Sequence, residues 1–115
     1  MRKIGFIGCG HMAKALIQGL KSNKSYELFG HDRNSKNSAW LGQEKIPFCS
    51  LEEICQESDI LMICVKPKDM YDLCSEMRSY IDNELKIVSV AAGITLENLK
   101  DALSGGKVYL SLIHI

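Results

Sequence analysis

Gly8, Gly10 and Ala13 stand at the spacing G-x-G-x-x-G/A within Gly8-Cys9-Gly10-His11-Met12-Ala13, and residues this small at this spacing let a backbone close around an anion. Gly8 can make a tight turn, Gly10 leaves the chain bare so that a pyrophosphate can approach, and Ala13 lets the following helix pack closely. The first amides of that helix, and its dipole, would face the anion. Glycines recur by chance, so the pattern alone is weak and its setting decides. It follows an apolar run over residues 3–7 and opens a segment with Met12, Leu16, Ile17 and Leu20 at helical spacing. Strand, turn and helix therefore come in the order that dinucleotide binding requires. A tight turn without a ligand is the less favoured alternative.

Asp32 lies 24 residues after Gly8, near the distance of about 20 at which an acid meets the ribose 2'-hydroxyl of NAD. Arg33 follows it, and a guanidinium there can stack on adenine or pair with the 2'-phosphate of NADP. The two residues point to different cofactors. A solvated turn over residues 32–34, with His31 in the same loop, accounts for them equally well.

The elements that must hold these residues alternate along the chain. Strands are expected over residues 3–7, 26–30, 60–65 and 86–90, with a small one over 46–49. The run over 60–65 is continuously apolar, as in a strand covered on both faces. Helices are expected over 12–20, 51–57, 69–81 and 96–103, the last capped by Thr95, and a polar loop over 31–37 leads into a short helix through Trp40. Ser50 with Glu53 three residues on has the form of a capping box for the helix over 51–57. Alternation with short connections predicts a single α/β domain, a Rossmann-like doubly wound parallel sheet with helices on both faces.

Composition narrows the partners. Lys and Arg number 14, as do Asp and Glu, so no net field would draw the chain to nucleic acid or to an anionic membrane. The five cysteines, Cys9, Cys49, Cys55, Cys64 and Cys74, are odd in number and show no Cys-x-x-Cys spacing. They fit reduced thiols of a cytoplasmic protein and offer no metal site. The start, Met1-Arg2-Lys3 and an apolar run to Cys9, has the look of a short leader, but it is too short and is interrupted by glycine. No run is long enough to span a bilayer.

Three segments carry a resemblance. Ile4-Gly5-Phe6-Ile7-Gly8-Cys9-Gly10-His11-Met12-Ala13-Lys14-Ala15, Asp59 through Cys64-Val65-Lys66-Pro67, and Val88-Ser89-Val90-Ala91-Ala92-Gly93-Ile94-Thr95-Leu96 resemble successive signatures of the pyrroline-5-carboxylate reductases, in order and spacing. The resemblance covers residues 1–109, and its second and third segments are more specific than the glycine pattern. It implies that Ile7, Gly8, Cys9, Gly10, His11 and Met12 hold the pyrophosphate. His31, Asp32 and Arg33, outside the three segments, are counted with the cofactor-binding residues from their place at the end of the second strand. Val65, Lys66 and Pro67, with Cys64 before them, would lie along the ribose and nicotinamide, and Ala91, Ala92 and Gly93 would close the pocket near the reacting ring. Taken by themselves, Lys66 fits a solvated lysine at a strand end, and residues 91–93 fit a tight strand exit.

The implied activity is hydride transfer from NADPH, or NADH, to the C=N bond of 1-pyrroline-5-carboxylate, giving L-proline. Another reductase on the same domain, such as a hydroxyacid or coenzyme F420-linked enzyme, and a non-catalytic nucleotide-sensing relative are the alternatives. The chain departs from the family's pattern in three places. His11 stands where the family usually has an amide, and Asp32 pulls toward NAD. The family also continues into a Met-Pro-Asn-Thr-Pro-like turn and a helical substrate and dimerisation domain, through which the whole protein would form homo-oligomers. That domain is not in this sequence. No catalytic residue is therefore named, and this length of chain alone is expected to bind nucleotide weakly and turn over nothing. Residues 110–115, Leu110-Ser111-Leu112-Ile113-His114-Ile115, read like the translated end of a transposase adapter and are expected to be an artificial tail. A sixth strand is the alternative.

Overall fold

The computed structural model describes residues 2–81, 86–89 and 107–110. Strand β1 (Arg2–Ile7) pairs in parallel with β2 (Tyr26–His31) on one side and β3 (Ile60–Ile63) on the other. Beyond β3 come β4 (Lys86–Ser89) and β5 (Lys107–Leu110), also parallel, so the order is β2-β1-β3-β4-β5. Outside β2 the expected small strand is a single bridge. Gly30 opposes Phe48, with Gly30 N–H donating to the Pro47 carbonyl at 3.0 Å and Cys49 N–H to the Gly30 carbonyl at 2.8 Å.

Alternation along the strands divides the core in two. Ile4 and Phe6 of β1 pack with Leu28 of β2 beneath helix α1 (His11–Leu20), through Ala13 and Ile17, and helix α2 (Ser35–Gln43), through Leu41. Ile7 of β1, Leu61 and Ile63 of β3 and Ile87 of β4 face the other way. They meet Ile54 of α3 (Leu51–Glu57) and Met70, Leu73, Cys74 and Met77 of α4 (Pro67–Met77). Burying such side chains stabilises each face by roughly 1.5–3 kcal/mol per large residue. The close approach of α3 has a local cause: a Cβ on Gly5 would come within 2.6 Å of Ile54 Cγ1. Two covered faces on a parallel sheet make the Rossmann-like doubly wound fold, as expected.

Several boundaries differ from the periodicity. Helix α2 begins at Ser35, inside the expected loop, because Asn34 caps it: the Asn34 side chain accepts the Lys36 N–H at 2.8 Å. Strand β3 stops at Ile63, two residues early, because β1 turns away at Gly8 and offers no further ladder partner. Helix α4 begins two residues early, since Pro67 takes its first position, where a missing N–H costs nothing. It ends at Met77 in a 3₁₀ turn, Arg78–Tyr80. Helix α3 has the expected bounds and capping box. Val90 and the helix expected over 96–103 lie outside the described residues. Leu110, the first residue set apart as a tail, pairs with Ser89 as part of β5, and residues 111–115 lie outside the described ones.

This order positions a site. The chain passes from β1 to β2 in one direction along the sheet, while β3 lies on the opposite side of β1. The reversal opens a crevice at the carboxyl ends of β1 and β3, where open sheets bind ligands.

Candidate functional site

The glycine turn fills one wall of the crevice. Gly8 has φ of +86°, which L side chains rarely adopt, and its N–H donates to the His31 carbonyl at 2.9 Å. A Cβ on Gly8 would lie 2.9 Å from Val65 Cγ1 and 3.0 Å from the Cys64 carbonyl carbon and oxygen. The turn is thus pressed against the exit of β3. Gly10 differs: its backbone is extended, and a Cβ there would meet nothing within 4 Å. One glycine serves the chain, and the other faces open space. Gly10 is the N-cap of α1, no side chain caps that helix, and no acid stands in its first turn. Its first amides and the positive end of its dipole are offered to an anion.

The turn after β2 forms the second wall. Asp32 accepts the Cys9 N–H on Oδ2 at 2.6 Å, Asn37 Nδ2–H on Oδ2 at 2.9 Å and the Asn34 N–H on Oδ1 at 2.7 Å. His31 Nδ1 lies 2.8 Å from the Cys49 carbonyl. A carbonyl only accepts, so Nδ1 carries the proton. The ring stacks on Phe48 with centroids 5.6 Å apart. Arg33 reaches α4 and pairs with Glu76. That hydrogen bond and charge, with Asp69 and Asp72 farther off, hold its guanidinium above the ordinary pKa.

The exit of β3 and the start of α4 make the third wall. Together the walls enclose a cavity of about 420 Å³, within the usual range for small-molecule sites. Of the residues expected to contact a cofactor, Ile7, Gly8 and Gly10 line it from the first segment, His31, Asp32 and Arg33 from the second, and Cys64, Val65 and Lys66 from the third. Cys9, His11 and Met12 do not. Cys9 is fully buried, with its Sγ turned toward the Phe6 and His31 carbonyls. Burial, then the Asp32 charge, pushes its thiol up to about 12, so the residue offers the site no nucleophile. His11 is exposed on the first turn of α1 and Met12 is half-buried. Pro67 opens α4, and Ala91, Ala92 and Gly93 lie outside the described residues.

Five lining residues escaped the sequence reading: Asn34, Asn37, Lys68, Asp69 and Leu73. The signal for the first was an Asn two places after Asp32 at a helix start. The last three follow once Pro67 is taken as the first residue of α4. Among the described residues no group of three or more His, Cys, Asp or Glu side chains could hold a metal ion, and no helix is long and apolar enough to cross a membrane.

Comparison with known proteins agrees with this geometry. The chain is similar to pyrroline-5-carboxylate reductase of Methanosarcina acetivorans, 33% identical over 91% of this chain and 41% of that protein. It is 36% identical to that of Escherichia coli, over 89% of this chain and 40% of that protein. The chain thus spans about 40% of the length of these relatives. Among solved structures, a 1-pyrroline-5-carboxylate reductase of Streptococcus pyogenes superimposes with a TM-score of 0.74 at 27% identity, covering 91% of this chain and 38% of the other. The model of the family described as NADP oxidoreductase, coenzyme F420-dependent, matches residues 3–93. That span takes in the glycine turn, the turn after β2 and the exit of β3, and by it the chain belongs to this family of oxidoreductases.

Proposed function

We propose that the crevice binds NADPH, with NADH as the weaker alternative, and that the chain is the cofactor-binding part of a pyrroline-5-carboxylate reductase. The observation that carries the reading is the open space before Gly10 at the uncapped start of α1. The similarity to reductases of that name supplies the substrate, 1-pyrroline-5-carboxylate, and the product, L-proline. A bound nicotinamide supplies the hydride. The protein's own residues bind and orient: the Gly8–Gly10 turn and the first amides of α1 would hold a pyrophosphate, Val65 and Lys66 would border the ribose and nicotinamide, and residues 91–93 would close on the ring. The reading also makes the whole protein a cytoplasmic homo-oligomer, as the family resemblance implies.

Titration of the 115-residue chain with NADPH and NADH, followed by nicotinamide fluorescence, is expected to show saturable binding that is tighter for NADPH. Absence of binding to either at millimolar nucleotide rejects the proposal. A protein extended to the length of its relatives is expected to oxidise NADPH in the presence of 1-pyrroline-5-carboxylate and to form proline. The family's description favours a second reading, exchange of hydride between NADP and coenzyme F420. Reduction of F420 by the extended protein without proline formation would select it. Nucleotide binding with neither reaction would select a sensing role.

A further inference from the structure

We propose that Asp32 is a positioning residue that latches the glycine turn, and that it does not hold the ribose diol in a two-point grip. The inference rests on the reading of the crevice as a dinucleotide site. An acid at the carboxyl end of β2 is where the ribose diol of NAD would be met. In this chain both oxygens already accept from within, Oδ2 from two donors and Oδ1 from one. The Cys9 N–H comes from the glycine turn, the Asn34 N–H from the cap of α2, and the Asn37 amide from the first turn of α2. A carboxylate offers about four lone-pair sites. Three donors leave one, whereas bidentate recognition of a diol needs two. All three are charge-assisted, and the Cys9 contact, at 2.6 Å, is the shortest.

The latch sits one residue before Gly10, so it sets the direction in which Gly10 and the first amides of α1 face. Asp32 then governs affinity for the pyrophosphate. Choice between a 2'-hydroxyl and a 2'-phosphate passes to its neighbours on the cavity wall, Arg33 first.

The test compares three ligands on the whole chain: ADP-ribose, its 2'-phosphorylated form, and adenosine 2'-monophosphate, which has no pyrophosphate. Asp32→Asn is expected to weaken the first two by the same factor, roughly tenfold, because the amide oxygen that replaces the carboxylate holds the Cys9 N–H without the assistance of charge. It should leave the third unchanged and speed hydrogen exchange at the Cys9 amide. A loss confined to ADP-ribose, with the 2'-phosphorylated ligand unchanged or tighter, overturns the inference. If Asp32→Asn does not fold, Asn37→Ala takes its place. It keeps the charge and the Cys9 bond and frees one lone pair, so the affinity ratio is expected to swing several-fold toward ADP-ribose. An unchanged ratio overturns the inference. If the unaltered chain binds neither pyrophosphate ligand, the dinucleotide reading falls and takes this inference with it. If it binds both and only the variants misbehave, the inference alone falls.

Discussion

Two glycines two residues apart have opposite reasons to be glycine, and substitution separates them. Gly8→Ala puts a methyl group against Val65 and the Cys64 carbonyl at positive φ, and is expected to cost about 1–3 kcal/mol of stability. Gly10→Ala meets no protein atom and, Ala being the poorer N-cap, is expected to cost no more than about 1 kcal/mol of stability. It should nonetheless weaken NADPH binding by roughly tenfold or more, because the methyl group occupies the space meant for the anion. Thermal unfolding beside a fluorescence titration checks both; equal stability losses in the two variants would refute the division of labour. This pair was legible in the sequence because a tight turn and a bare backbone are local demands. Cys9 was not, because only the packing of α1 on β1 shows that its thiol faces the core while its amide faces Asp32. Asn37 was missed for a similar reason: its amide reaches Asp32 only if α2 begins at Ser35.

At the level of elements, local signals were readable and tertiary endings were not. The Ser50 and Glu53 capping box closes in both directions, at 3.2 Å each way, and Ser50→Ala is expected to lower stability by about 1 kcal/mol in urea unfolding. By contrast, the run to Val65 reads as strand throughout, yet the bonding to β1 closes with the Cys64 N–H on the Ile7 carbonyl at 2.8 Å, because β1 turns away at Gly8. A lost partner strand has no signature in the segment that loses it. The Arg33–Glu76 pair, which ties the turn after β2 to α4, was equally invisible. Both side chains are more than half exposed or close to it, at 66% and 50%, so the pair adds little to stability. Its effect should appear in cofactor choice. Glu76→Gln frees the guanidinium and is expected to tighten NADPH several-fold without changing NADH, a gain that fades as salt rises. An equal change for both nucleotides would count against Arg33 as the 2'-phosphate partner.

For the molecule as a whole, the doubly wound class followed from alternation, whereas the strand order, and with it the crevice where that order reverses, is a product of the tertiary fold. The wall expected from Ala91, Ala92 and Gly93 lies outside the described residues. Three buried thiols, Cys9, Cys55 and Cys74, and the half-buried one of Cys64 give the chain a pH signature. Burial pushes Cys9 and Cys64 up to about 12 and Cys55 and Cys74 up to about 11, from an ordinary 9.0. The folded state therefore keeps protons that the unfolded chain releases. Their contribution to stability is full below pH 9 and is lost as pH climbs from there toward 12. Urea midpoints measured from pH 8 upward under reducing conditions are expected to fall steeply above about 9, and replacing Cys55 by Ala or Ser should make that fall shallower. The order of the sheet has a consequence for synthesis. Strand β1 is made before both of its neighbours, β2 and β3, and the later of these ends only at Ile63. On the ribosome this strand must wait, one edge open, until the chain has emerged as far as Ile63, which makes residues 2–7 a segment of the nascent chain in need of a chaperone's cover.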